Sequence, residues 1–321
     1  MGVNLPSIVN YDQGRILMSF SHGDSLHAVQ YYHDEQEDPG PDDHEDYGSL
    51  PDYVIRGVNR FLFFVGYARS GQSIVASMLD AHPHVVIAHE YSLFRKWQQD
   101  PETHSDKHWL FNTLYTNSKH NTEDGLQAQQ ATKNGYVLAI PGSWQGRYDN
   151  SISVIGDKSG EMTAQFFRKS KENFTKFYNE MKKTVQVPIS IIHIIRNPYD
   201  NIATMLLQKV NETGKYVSME AQIASYFEQV HSVVEMINTV HLNVIEVHNS
   251  DMIAKPKIVM RTLCDKLRIS CSEQFLQVCA HRTFSSESKS RHLVKWTQYL
   301  IDVVAQNIQK YDHLKRYTFI S

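Results

Sequence analysis

Phe61-Leu62-Phe63-Phe64-Val65 runs straight into Gly66-Tyr67-Ala68-Arg69-Ser70-Gly71-Gln72-Ser73. The first five residues are a short apolar run, the pattern of a strand buried on both faces of a parallel sheet. The next residues are small and polar. From Ser73 to Ala81 the apolar residues fall at helical spacing, and the pattern stops before Pro83. A buried strand, a glycine-bearing loop and a helix in immediate succession predict an α/β chain.

The same alternation continues outward. Val85–Ala88, Ser151–Gly156, Ile189–Ile195 and Leu242–Val247 read as strands. Glu161–Lys183, Asp200–Lys209 and Val217–Val240 read as helices, and helices fill much of 252–310. Strands separated by helices imply right-handed crossovers and a parallel sheet covered on both faces. Ahead of Phe61 the chain differs. Residues 31–52, YYHDEQEDPGPDDHEDYGSLPD, are crowded with acids, contain no Lys or Arg, and include Pro and Gly. Such a segment cannot bury a core. The expected division is therefore an acidic, flexible leader over residues 1–58 and one domain over residues 59–321.

Composition narrows the class. The chain has 321 residues, with 41% hydrophobic and 21% charged, as in an ordinary globular protein. No apolar run approaches the roughly 18–20 residues that span a bilayer. Residues 1–21 carry no basic segment followed by an apolar one, so a cytoplasmic location is expected. Residues 1–60 hold three basic and eleven acidic side chains, which leaves the remainder mildly basic. That suits an anionic ligand but gives no nucleic-acid footprint. Cys264, Cys271 and Cys279 are odd in number and lack metal-ligand spacing, so free thiols are expected.

The segment from Gly66 to Ser73 has the spacing G-x-x-x-x-G followed by Gln-Ser. Glycines let the backbone close on an anion, and the amides at a helix N-terminus point at it. Ser70 and Ser73 add hydroxyls, and Arg69 adds a charged donor. The nucleotide-triphosphatase form of this loop carries a lysine where Gln72 stands, which argues against ATP chemistry. A second anion site is suggested where the strand ending at Ile195 meets Arg196-Asn197-Pro198, with Thr204 eight residues after Arg196. Ligands bind at such strand ends in open α/β sheets.

Val65 to Ser73, continuing to Leu79-Asp80-Ala81-His82-Pro83, resembles the first nucleotide signature of sulfotransferases. It is most similar to the Golgi-type branch, which includes protein-tyrosine and carbohydrate sulfotransferases. That branch shows Gly-x-Pro-Arg-Ser-Gly-Thr-Thr; here Ala68, Gln72 and Ser73 depart from it. Arg196-Asn197-Pro198 with Thr204 resembles the second signature, where Ser is usual in place of Thr. The resemblance covers residues 61–317. It implies a three-layer α/β/α, P-loop NTPase-like sulfotransferase fold with a central parallel sheet. It also implies 3′-phosphoadenosine 5′-phosphosulfate (PAPS) as co-substrate and 3′,5′-phosphoadenosine (PAP) as product, with no metal. Tyr67, Ala68, Arg69, Ser70, Gly71, Gln72 and Ser73 would hold the 5′-phosphosulfate. Arg196 and Thr204 would hold the 3′-phosphate. Ser286, Ser288 and Lys295 would close over the nucleotide.

The same resemblance supplies the catalytic candidates. Glu90 lies 21 residues after Arg69, the spacing of the general base in protein-tyrosine sulfotransferases. His89, one residue earlier, is the second candidate base, and strand alternation lets only one of the two enter a cleft. Lys158, in Asp157-Lys158-Ser159, corresponds to the lysine that stabilises the transferring group, with Arg69 beside it. Asn249 is a weaker polar contact. The acceptor is a hydroxyl on a small molecule, a carbohydrate or a protein tyrosine; nucleic acid is not expected, and a homodimer is compatible with this reading. Two other readings stand beside it: a catalytically silent PAPS- or PAP-binding protein, and a P-loop kinase, which would want a lysine after Gly71.

Overall fold

The computed structural model describes residues 11–12, 15–16, 49–125, 137–215, 217–241, 243–283 and 286–321. Its centre is a five-stranded parallel sheet: β1 (Arg60–Gly66), β2 (Val85–His89), β3 (Val154–Lys158), β4 (Ile189–Ile195) and β5 (Val244–His248). The strand order is β2-β3-β1-β4-β5. A short antiparallel ribbon pairs Tyr11–Asp12 with Arg15–Ile16.

Every residue of β1 is buried, because β1 is central and covered on both sides. Phe61, Phe63 and Val65 join one core, and Leu62 and Phe64 join the other. The second core is closed by α1 (Gln72–Asp80) together with helices Pro256–Leu267 and Glu273–Ala280. The first is closed by α2 (Gly160–Lys169), α3 (Lys171–Val185), α4 (Pro198–Thr213) and α5 (Met219–Val240). The result is the expected three-layer α/β/α arrangement. Among the described residues no helix is long and apolar enough to cross a membrane.

Several expectations are corrected. The helix expected over Glu161–Lys183 is two helices, because Ser170 is extended (φ −156°, ψ 91°) and caps α3 through its hydroxyl at the amide of Asn173. The third strand begins at Val154 rather than Ser151, after Asn150 turns the chain at φ 60°. The first two strands in sequence are not neighbours. β3 inserts between them, and Ile155 pairs with Phe61 on one side and Val86 on the other. Core packing also extends to residues before 59. Leu50, Val54, Ile55 and Val58 are buried in the core, three of them on or beside the short helix Asp52–Gly57, and the amide of Leu50 donates to Asn112 Oδ1 at 2.6 Å. Residues 31–48 of the acidic leader lie outside the described residues. Finally, Cys264 and Cys271 are not free thiols but a disulfide. Helix Pro256–Leu267 ends and the chain reverses through Arg268 (φ 59°), bringing the two Cα atoms to 6.1 Å, within bridging range. Cys279 is free and buried.

Candidate active site

The carboxyl ends of β1, β3 and β4 open onto one cleft of about 460 Å³. Its floor is the loop between β1 and α1, with Ala68, Arg69, Ser70, Gly71, Gln72 and Ser73 all lining it. Gly71 caps α1 at φ 100°, a left-handed conformation that favours glycine, and a Cβ there would also meet Asn249 Nδ2 at 2.5 Å. Arg69 takes a left-handed φ of 65° without being glycine, and its Nε donates to Gln208 Oε1. The amides of the first turn of α1 have no helical acceptors and are oriented for an anion.

Tyr67 differs from expectation. Its ring is fully buried against His193 and Tyr226, and its hydroxyl pairs with His313 Nε2 at 2.8 Å and His193 Nε2 at 3.1 Å. It continues the alternation of Phe61, Phe63 and Val65 into the same core, so only its backbone belongs to the loop. Gln72 also turns inward: its Nε2 donates to the carbonyl of Tyr67 at 3.1 Å and to Ser70 Oγ at 3.2 Å.

Glu90 and Lys158 meet on the wall of the cleft. β2 and β3 pair in register His89 to Lys158, and the amide of Glu90 donates to the carbonyl of Lys158 at 3.1 Å. The Lys158 ammonium, almost wholly buried, forms an ion pair with Glu90 Oε1 and donates to Ser73 Oγ at 3.1 Å. Glu90 lines the cleft; His89 is buried, and burial, with Lys158 beside it, holds its pKa well below the ordinary value. Glu90 (φ 55°) and Ser92 (φ 63°) are both left-handed. Asp157 holds that bend: its carboxylate accepts from the amides of Tyr91 (3.2 Å) and Leu93 (3.1 Å) and from Ser159 Oγ (3.0 Å). Burial pushes its pKa up to about 7.

Arg196 joins the loop to Thr204 and the serine run. Its Nη1 donates to the carbonyl of Arg69 at 3.0 Å and to Thr204 Oγ1 at 3.1 Å. Its Nη2 donates to the carbonyl of Ser288 at 3.0 Å and to Ser290 Oγ at 3.1 Å. Ser286 and Ser288 line the cleft with Arg196, while Thr204 stands behind it. Lys295 is exposed and is not among the residues lining this cleft; the neighbouring Trp296 packs on Tyr199 and Phe319.

Sequence reasoning missed four residues here. Gln208 lies four residues after Thr204 on α4, a spacing that places both on one face. Ser290 belongs to the serine run that held Ser286 and Ser288. Glu161 lines the cleft in the first turn of α2, where burial and then the nearby Glu90 raise its pKa against the opposing pull of Gln165 and Arg69. Gly160, which opens α2, lies against Gln72, and nothing local in the sequence announces that contact.

A profile of the sulfotransferase family matches residues 62–274. No curated protein sequence matches. Among solved structures, sulfotransferase STF9 from Mycobacterium avium aligns at 11% identity and a TM-score of 0.43, covering 79% of this chain and 77% of that one. The sulfotransferase domain of the Synechococcus PCC 7002 olefin synthase aligns at 15% and 0.40, covering 80% and 85%. Mouse sulfotransferase SULT7A1, complexed with PAP, aligns at 14% and 0.37, covering 77% and 72%. With the family profile spanning strand β1 through the cleft-forming segments beyond β5, the chain belongs to the sulfotransferase family.

Proposed function

We propose that this enzyme transfers the sulfuryl group of PAPS to a hydroxyl acceptor and releases PAP. One observation carries the reading: a single cleft is lined both by the loop 68–73 with Lys158 and by Arg196, two sets of donors suited to anions. Lys158 donates to Ser73 of that loop, and Arg196, backed by Thr204 and Ser290, adjoins it at the carbonyl of Arg69. PAPS has anionic groups on both the 5′ and 3′ sides of its ribose, whereas ATP has none on the 3′ side. Gln72, bonded within the loop, stands where a triphosphate-binding loop carries its own lysine.

In this reading Glu90 accepts the acceptor's proton. The acceptor oxygen bonds to sulfur, the bond from sulfur to the bridging phosphate oxygen breaks, and Lys158 neutralises the charge left on that oxygen. Lys158 and Glu90 begin as an ion pair, so a bound phosphosulfate competes with Glu90 for the lysine. Lys158 turning to the bridging oxygen frees the carboxylate to act as a base. The pairing also supports the resemblance to the protein-tyrosine branch. The domain runs from about residue 49, where the core contacts begin. The Cys264–Cys271 disulfide supports an oxidising compartment rather than the cytoplasm.

Calorimetry with PAP and ADP in magnesium-free buffer tests the donor. The expected result is a preference for PAP of about tenfold or more, since a charge-assisted contact contributes about 1.5–3 kcal/mol. Equal affinity for the two nucleotides overturns the reading. Labelled PAPS offered to phenols, sugars and tyrosine peptides then identifies the acceptor. Tight PAP binding without transfer to any of them would favour the silent binding protein.

A further inference from the structure

Gln72 occupies the place where a triphosphate-binding loop carries its lysine, yet its amide nitrogen is bonded within the loop. Its Nε2 is shared between the Tyr67 carbonyl and Ser70 Oγ. Its Oε1 faces Gly160, where an added Cβ would lie 1.8 Å from that oxygen and 2.7 Å from Cδ. Gly160 is not among the residues with positive φ, so what a side chain would meet there is the Gln72 amide and not a backbone constraint. A Cβ on Gly66 would likewise approach Nε2 to 3.0 Å. The amide is thus enclosed by the end of β1, the phosphate loop and the start of α2.

That enclosure spans a catalytic junction. Gly160 follows Lys158 and Ser159 directly, and Lys158 bonds Ser73, the residue after Gln72. Two adjacent residues of the loop therefore contact the β3–α2 turn, one through a hydrogen bond and one through close packing.

We propose that Gln72 is a positioning residue: a brace seated in the socket left by Gly160, which fixes the distance between the phosphate loop and Lys158. The role of Lys158 rests on the sulfotransferase reading; the brace itself does not. Transfer needs the loop and the lysine held in one fixed geometry around the phosphosulfate, so a small drift between them lowers the rate more than it weakens nucleotide binding. The brace also accounts for a loop that keeps its anion-binding form without the usual lysine or threonine: the Gln72 amide supplies internally the bonds that hold Ser70 and the Tyr67 carbonyl in place.

The test is a double-mutant cycle on the full chain with Gln72→Ser, Gly160→Ala and both together, reading thermal midpoint, PAP affinity and single-turnover rate. Gly160→Ala drives a methyl group into the glutamine and is expected to lower the midpoint and weaken PAP about tenfold; shortening Gln72 in the same chain should recover most of both losses. Gln72→Ser alone should hold PAP affinity within about threefold while the rate falls about tenfold or more, the separation expected of a positioning residue. A double variant as impaired as Gly160→Ala, or a Gln72→Ser enzyme with unchanged rate, overturns the proposal. If Gly160→Ala is insoluble, a soluble double variant supports the brace and an insoluble one overturns it. If the wild-type chain binds no PAP, the sulfotransferase reading fails, and rescue of the midpoint still decides the brace.

Discussion

Glu90 stands one residue beyond β2 in a left-handed conformation that costs a residue with a side chain roughly 1–3 kcal/mol. The bend persists because Asp157 holds the amides on either side of Ser92. A carboxylate fixed this way faces the loop at low reorganisation cost. Glu90→Gln is expected to lower the transfer rate by roughly 10²-fold or more while leaving PAP affinity nearly unchanged. His89→Ala should be milder, because His89 is buried and held neutral. A larger loss from His89→Ala, or from Glu161→Gln, would move the base to that residue. Asp157 is expected to give transfer a pH dependence. Its carboxylate form accepts three donors, so activity should rise through about pH 7 as it ionises, and Asp157→Asn should remove that limb. Stability has the opposite sign. The folded chain holds this proton up to about pH 7, the unfolded chain only to about 4, so between them stability falls as pH rises, by at most ~1.4 kcal/mol per unit. Denaturant titrations across that range check the sign. Much of this was legible: Glu90, Lys158, Arg196 and Thr204 stand at motif positions. The inward turn of Gln72 was not, because it depends on a glycine distant in sequence.

At the scale of elements, the apolar runs announced their own strands. Phe61–Val65 and Ile189–Ile195 appear within a residue or so of their expected ends, because continuous apolar character leaves a buried strand little choice. The break at Ser170 was harder to read, since the apolar spacing continues across it and only the capping hydroxyl marks it. Strand order was not legible either: nothing in β3 itself says that it lies between β1 and β2. The short helical turn Ser290–Leu293 is a further case. Arg291 within it is fully buried, and its Nη2 lies 3.0 Å from Asp200 Oδ2 on α4. Its amide donates to Asp200 Oδ1 at 2.9 Å, and its Nη1 donates to the carbonyls of Thr318 and Phe319. This places the neighbouring Ser290 against Arg196 and Thr204. Arg291→Ala leaves the buried Asp200 carboxylate without its cation, at an expected cost of about 3–5 kcal/mol in urea unfolding. In the surviving folded fraction PAP should weaken while the Cys264–Cys271 bridge, remote in sequence, stays formed. Unchanged stability would show that the pair is not a clamp.

At the scale of the whole molecule, buried residues lie ahead of the boundary that composition suggested. Acidic character ends at Asp52, and the first long apolar run starts at Phe61, so the sequence suggested a domain beginning near residue 59. The short amphipathic turn between them escaped notice because a helix of six residues is too brief for its periodicity to register. Yet Leu50, Val54, Ile55 and Val58 are all buried, and each contributes roughly 1.5–3 kcal/mol by leaving water. Their sum approaches the whole net stability of a typical domain, about 5–15 kcal/mol. Two truncations follow from this. A chain beginning at Gly48 keeps every one of these contacts and loses most of the acidic segment, so its thermal midpoint should match that of the full chain. A chain beginning at Asn59 keeps the sheet and the cleft but loses the four apolar side chains, and it should be insoluble or melt at least 10 °C lower, using about 2–4 °C per kcal/mol for a domain of this size. Both are measured by scanning calorimetry with and without PAP. A midpoint that drops already at Gly48 would mean that the acidic leader docks on the domain. A midpoint that survives at Asn59 would mean that the helix Asp52–Gly57 is held by the fold without supporting it.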